Sequence, residues 1–157
     1  MNAVTLLYAI VLLTPPTTPI FDVRANLSRQ WGNSGEFRVI SIAAERNDCR
    51  GDDFLILLAI RKAENGLSGR EFGILHPRAI DTNLDIQAGW CAATIVKNRV
   101  RWVRAGKPVP FIEFLGKRYC PVGVKNDPSG LNRNWIKNVK YWFNKLKKEI
   151  KCITGLE

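Results

Sequence analysis

A single histidine, a single methionine and four scattered cysteines leave this 157-residue chain little with which to hold a metal ion. His76 has no second histidine to pair with, and Cys49, Cys91, Cys120 and Cys152 lie far apart. Neither a zinc knuckle nor a closely spaced dithiol is present, so no metal site and no cofactor are expected. The four thiols allow two disulfides in any of three connectivities. Cys91, set among alanines in a helical pattern, reads as a small buried thiol. Long apolar runs are also missing. The stretch AVTLLYAIVLL (residues 3–13) has no Lys or Arg before it and ends in TPPTTP. Its length suits the apolar centre of a signal peptide and is too short for a bilayer span. Strand-like runs and internal repeats are absent. Acids are scarce too: 14 Asp and Glu stand against 24 Lys and Arg, a formal charge of +10. An excess of that size favours an anionic partner, whether nucleic acid, a membrane surface or an acidic polymer such as a bacterial cell wall.

What is present is helical. Hydrophobic content of 46% and charged content of 24% describe a globular chain the size of one domain. Residues 1–20 form a hydrophobic N-terminal segment, and residues 21–50 form a poorly periodic extension in which QWGNSGEF reads as a turn. The main domain spans 51–151. In it, DDFLILLAIRKAEN opens with acids and has Gly66 just past its end, the asymmetry of a helix. A second helix follows Thr82 or Asn83, with Leu84, Ala88, Cys91, Ile95 and Trp102 as its core stripe. A short helix falls at PFIEFLGKRY and a turn-rich loop at CPVGVKNDPSGLN. The last helix, NRNWIKNVKYWFNKLKKEIK, buries Ile136, Val139, Phe143, Leu146 and Ile150. The fold class is mainly α.

Glu64 is the residue that asks for an explanation. It follows Ile60 and Leu57 by four and seven residues, so it shares a face with core positions. A carboxyl at the end of an apolar stripe is desolvated, which favours its protonated form. A general acid working near neutral pH needs that property. The ordinary alternative is an ion pair with Arg61, one helical turn earlier.

A buried helix ending in glutamate, then a turn, then FGIL, resembles the lysozyme-like superfamily of peptidoglycan-cleaving enzymes. In its lytic transglycosylases and goose-type lysozymes the catalytic glutamate ends a helix and is usually followed by serine; Asn65 stands there in this chain. Their Gly-Leu-Met-Gln motif resembles GILH (Gly73–His76). FGI (Phe72–Ile74) is also similar to the corresponding motif of flagellar-type glucosaminidases. An Asn-Ile-x-x-Gly-Ala helix start resembles LDIQAGW (Leu84–Trp90), and the tyrosine that faces the glutamate matches Tyr119 in KRYCPVG. The resemblance covers residues 51–145 with the motifs in the same order.

It implies a lysozyme-like single domain whose buried central helix ends at the catalytic Glu64. Phe72, Gly73, Ile74 and Tyr119 are then the substrate-binding residues, and the neighbouring loop amides bind an N-acetyl group. Phe72, Trp90 and Trp135 are candidates to line a sugar cleft. No second carboxylate falls at a family position, although Glu71, Asp81, Asp85, Glu113 and Asp127 are available. That tilts the expected reaction towards a transglycosylase, which closes an anhydro ring with the sugar's own hydroxyl, over a muramidase or glucosaminidase hydrolase. The implied setting is periplasmic, extracellular or virion-associated, and the expected state is a monomer. Between Gly116 and Lys151, ten Lys or Arg oppose Asp127 and Glu149. On the enzyme reading this face holds the anionic wall. The alternative is a cationic nucleic-acid-binding or membrane-associated protein that keeps only the scaffold, with Trp135, Tyr141 and Trp142 for stacking.

Overall fold

A computed structural model describes residues 20–125 and 127–154. The apolar run at 3–13 lies outside the described residues. Every regular element among the described residues is helical: α1 (Ile20–Trp31), α2 (Ser34–Arg46), α3 (Asp52–Glu64), α4 (Leu84–Arg104), α5 (Phe111–Tyr119), a 3-10 turn (Leu131–Asn134) and α6 (Trp135–Thr154).

The helix α3 is the axis of the molecule. All seven residues from Phe54 to Ile60 are buried, so the helix has no solvent stripe in its middle. A helix apolar on every side must be surrounded. Here α6, α4 and α2 pack around it. Asp52 and Asp53 occupy its first turn and Arg61 and Lys62 its last, each complementing the nearer end of the helix dipole. The left-handed residue that stops it is Asn65 (φ 44°), one position before the expected glycine. Gly66 serves a different need. A Cβ there would lie 1.9 Å from the carbonyl oxygen of Arg70, so only glycine lets the following loop fold back against the helix end.

Residues 21–50 belong to the same core. The predicted turn is real, and Asn33 in it caps α2 by accepting the Glu36 N–H at 3.0 Å. Leu27, Trp31, Phe37, Ile40, Ala43 and Ala44 all join the central cluster. The separation of these residues as an extension therefore does not hold in space. Their apolar positions are interrupted by polar ones often enough to hide the helical period.

The other helices follow the sequence reading closely. Asn83, one of the two expected caps, accepts the Ile86 N–H at the start of α4. Ala88, Cys91 and Ile95 are buried as expected, with Leu84 and Trp102 packed at the margin. In α6 the fully buried positions are Trp135, Val139 and Leu146, flanked by Ile136, Phe143 and Ile150. The four cysteines are free thiols, Cys49 and Cys91 buried.

Candidate functional site

The last turn of α3 presents Glu64 to the start of α6. The carboxylate Oε1 accepts the indole N–H of Trp135 at 2.8 Å. Arg61 takes no part in this, since its guanidinium donates to Glu36 at 3.1 Å. The ordinary ion-pair explanation for Glu64 thus fails on geometry: its neighbour is spoken for, and its own partner comes from 71 residues away. Burial pushes the Glu64 carboxyl above its usual value, and the Trp135 hydrogen bond offsets only part of that rise. The result is a carboxyl that holds its proton to higher pH than an ordinary glutamate.

Trp135 reaches Glu64 because α5 and α6 approach closely at Gly116. A Cβ on Gly116 would meet Ile136 Cγ1 at 2.6 Å and the Trp135 ring at 3.1 Å. The same approach stacks the Tyr119 ring on that of Trp135, with centroids 5.1 Å apart and planes 27° from parallel. Tyr119 donates its hydroxyl to the Phe72 carbonyl at 2.6 Å, and its oxygen lies 3.3 Å from Cys91 Sγ. Burial raises the Tyr119 hydroxyl and the Cys91 thiol well above their usual values, and the Glu64 charge pushes both further. Cys120, next along the chain, is pushed up to about 12 by burial and by Glu64. All three therefore stay neutral beside the carboxyl and offer it no competing anion.

The loop after α3 closes the other side. Gly73 has φ of 65°, and a Cβ on it would stand 2.7 Å from Glu64 Oε2. Glycine is demanded twice here, by the left-handed backbone and by the carboxylate itself. Gln87, fully buried on α4, fixes this loop. Its Nε2 donates to the carbonyls of Ile74 (3.1 Å) and Ala79 (2.7 Å), and its Oε1 accepts the Ile74 N–H (3.3 Å). Two of the loop amides are occupied: Gly73 N–H donates to the Arg70 carbonyl and Ile74 N–H to Gln87. Of the amides neighbouring Gly73 expected to bind an N-acetyl group, that of Ile74 is taken up by Gln87.

Four of the five residues assigned from the sequence meet at one place, namely Glu64, Gly73, Tyr119 and the backbone of Phe72. The side chain of Phe72 is fully buried and cannot face a ligand, a correction to its assigned role. An aromatic ring between a helix end and a glycine turn was worth more to the core than to the surface. Ile74 is the fifth, and its backbone N–H and carbonyl are both bonded to Gln87. Trp90 stands apart, stacked on His76 with centroids 4.2 Å apart. The His76 Nδ1 accepts the Arg78 N–H, which leaves this imidazole a loop-shaping role. Trp135 is one of the three aromatics expected to line a cleft, and nothing local in the sequence marks it as the partner of Glu64. Gln87 is not among the residues expected at the site, although a glutamine three residues after Leu84 and one before Ala88 interrupts an apolar stripe and so signals a buried polar anchor.

The remaining acids are mostly engaged. Asp81 pairs with Arg70, Asp85 with Arg46 and Glu113 with Lys140. Asp127 accepts the Asn132 N–H at 3.3 Å. Glu71 and Asp127 are both buried, and Glu71 Oε2 and Asp127 Oδ2 each have no hydrogen-bond partner among the described residues. Leu67, Val122 and Leu131, on the segments that follow α3 and α5, are exposed apolar side chains. A cavity of about 430 Å³ lies elsewhere, by the N-terminal half of α3, between Arg99, Phe111, Lys140 and Phe143. Its cations are already paired with Asp53 and Glu113. Comparison of the chain with protein-family models, with curated proteins and with solved structures found no match in any of the three.

Proposed function

We propose that this protein is a lysozyme-like enzyme that cleaves the glycan strand of peptidoglycan, with Glu64 as the general acid and then the base. The observation that carries the reading is one carboxyl, raised above its usual value by burial, held by Trp135 and faced by a glycine. Because the indole N–H can only donate, Oε1 acts as the acceptor oxygen and the transferable proton belongs on Oε2. Oε2 is the oxygen beside Gly73, which carries no side chain of its own to cover it. From there the proton passes to the glycosidic oxygen as the bond to the anomeric carbon breaks, and the bonding pair leaves with that oxygen. The carboxylate so formed, stabilised by the Trp135 N–H, then removes a proton from the incoming nucleophile.

That nucleophile is the sugar's own hydroxyl on the transglycosylase reading and water on the hydrolase reading. Three of the five other candidate acids are neutralised in ion pairs, which supports the single-carboxylate reaction. Mass spectrometry of digested peptidoglycan decides the point, since anhydro and reducing ends differ by one water. Glu64→Gln is expected to lose ~10²-fold or more of the activity while keeping the fold. Glu71→Gln is expected to retain more than about a tenth of it. A loss matching that of Glu64→Gln would make Glu71 the second carboxylate of a hydrolase. If the wild-type protein leaves peptidoglycan untouched and instead retards DNA or RNA in a gel, the nucleic-acid reading replaces this one.

A further inference from the structure

The segment between α5 and α6 delivers Trp135 to Glu64, and one residue in it is bonded in three directions. Asn132 lies in the 3-10 turn that runs directly into α6. Its carbonyl accepts the backbone N–H of Trp135 itself. Its side-chain Nδ2 donates to the Pro121 carbonyl at 2.7 Å, two residues past Tyr119. Its own N–H donates to Asp127 Oδ1 at 3.3 Å, and the Asp127 backbone is tied in turn to Val124 and Gly130. The Tyr119 ring stacks on that of Trp135. The contacts close a circuit: the chain runs from Tyr119 to Pro121, Pro121 meets Asn132, Asn132 meets Trp135, and Trp135 returns to Tyr119. Gly116 lets α5 and α6 approach, but a missing side chain cannot hold the two ends together. Asn132 does, and it needs an amide for the task, since a carboxylate has no donor for the Pro121 carbonyl.

From this circuit we propose that Asn132 is a positioning residue, which acts through Trp135 to fix the indole N–H on Glu64 Oε1 and so keeps the transferable proton on Oε2. A turn of the Trp135 ring that broke its 2.8 Å bond would remove the distinction between the two carboxyl oxygens. The proton would then no longer be confined to the oxygen beside Gly73. Asp127 supports Asn132 from behind. The inference deepens the proposed function and rests on it for the use made of the proton.

The test follows the Trp135 indole N–H against pH in proton–nitrogen NMR of the full chain, the signal being identified by its loss in Trp135→Phe. In the wild type it should titrate with Glu64, because Cys91, Tyr119 and Cys120 beside the carboxyl are raised by burial and stay neutral. Asn132→Ala is expected to shift the resonance, shrink its titration and move the midpoint to higher pH, since the bond that favours the charged carboxyl is weakened. On peptidoglycan, kcat should fall about tenfold, the scale of one lost hydrogen bond, with KM within about twofold. Asp127→Ala should reproduce the NMR pattern. Asp127→Asn, which keeps an acceptor oxygen for the Asn132 N–H, should restore it. If Asn132→Ala does not fold, the Asp127 pair decides alone. A Trp135 titration left unchanged in the folded alanine variants overturns the positioning role, and so does an asparagine at 127 that behaves like alanine. Failure of the wild type to cleave peptidoglycan would remove the proposed function and leave the NMR result standing, so the two failures are distinct.

Discussion

At the scale of single residues, the proposed chemistry rests on how Glu64 is solvated. Burial holds its proton, so the folded carboxyl titrates above the ordinary value of 4.5. A group raised in the folded state contributes stability that is complete below its unfolded value and is lost as pH climbs through the folded one. Wild-type protein is therefore expected to lose stability from about pH 4.5 upward on account of Glu64. Glu64→Gln has no such loss, so its melting temperature should exceed the wild type's at pH 7 and converge with it near pH 4. Equal melting temperatures at pH 7 would mean that the carboxyl is ordinarily solvated. Trp135→Phe tests the opposing influence. Without the indole donor the charged form loses its hydrogen bond, and the Glu64 value moves further up. The alkaline limb of the kcat–pH profile should shift upward with it, and stability should fall by about 1–3 kcal/mol. A limb that does not move would show that Trp135 only packs.

At the scale of elements, the loop between α3 and α4 is a surface loop with a buried anchor. Gln87 supplies two donors and one acceptor to Ile74 and Ala79, and Tyr119 adds a third tie at Phe72. Gln87→Ala leaves those backbone groups unpaired against a fully buried cavity. Each open buried group costs about 1–3 kcal/mol, so a loss of about 3 kcal/mol is expected in denaturant titration. Activity per folded molecule should fall as well, because Gly73 would no longer hold its place against Glu64. Activity unchanged in a destabilised but folded variant would separate the loop's stability from its function. The α5–α6 approach at Gly116 is the matching device on the other side. It seats Trp135 and Tyr119 together, and a larger residue there would part them.

At the scale of the whole molecule, the proposed encounter with an anionic wall is a matter of charge. The outer face of α6 exposes Lys137, Lys145 and Lys148 around Tyr141, which is 60% exposed. Lys140 and Lys147 differ from these, being paired with Glu113 and Asp52. Replacing Lys137, Lys145 and Lys148 with glutamine lowers the formal charge of +10 by three without breaking those pairs. Pelleting with purified cell wall should weaken in this variant, while melting temperature and cleavage of short soluble fragments stay near wild type. Exposed charges are screened beyond about 8 Å at physiological salt, so wild-type pelleting should itself fall steeply as salt rises. Pelleting that ignores both salt and the substitutions would place retention in the cleft rather than on α6.

The sequence by itself determined the helical class, the span of α3 and the position of Glu64 at its end. Those features are local: apolar runs, caps and end charges act within a few residues of one another. It also brought Gly73, Tyr119 and Glu64 into one expected site through the order of their motifs. Tertiary structure alone decided that Trp135 is Glu64's partner, that Arg61 belongs to Glu36, and that Gln87 holds the loop. Each of those contacts joins residues 13 to 71 positions apart, and no period or spacing encodes them. Tertiary structure also moved the Phe72 ring into the core and residues 21–50 into the main cluster, because a nearly all-apolar α3 must be covered on every side.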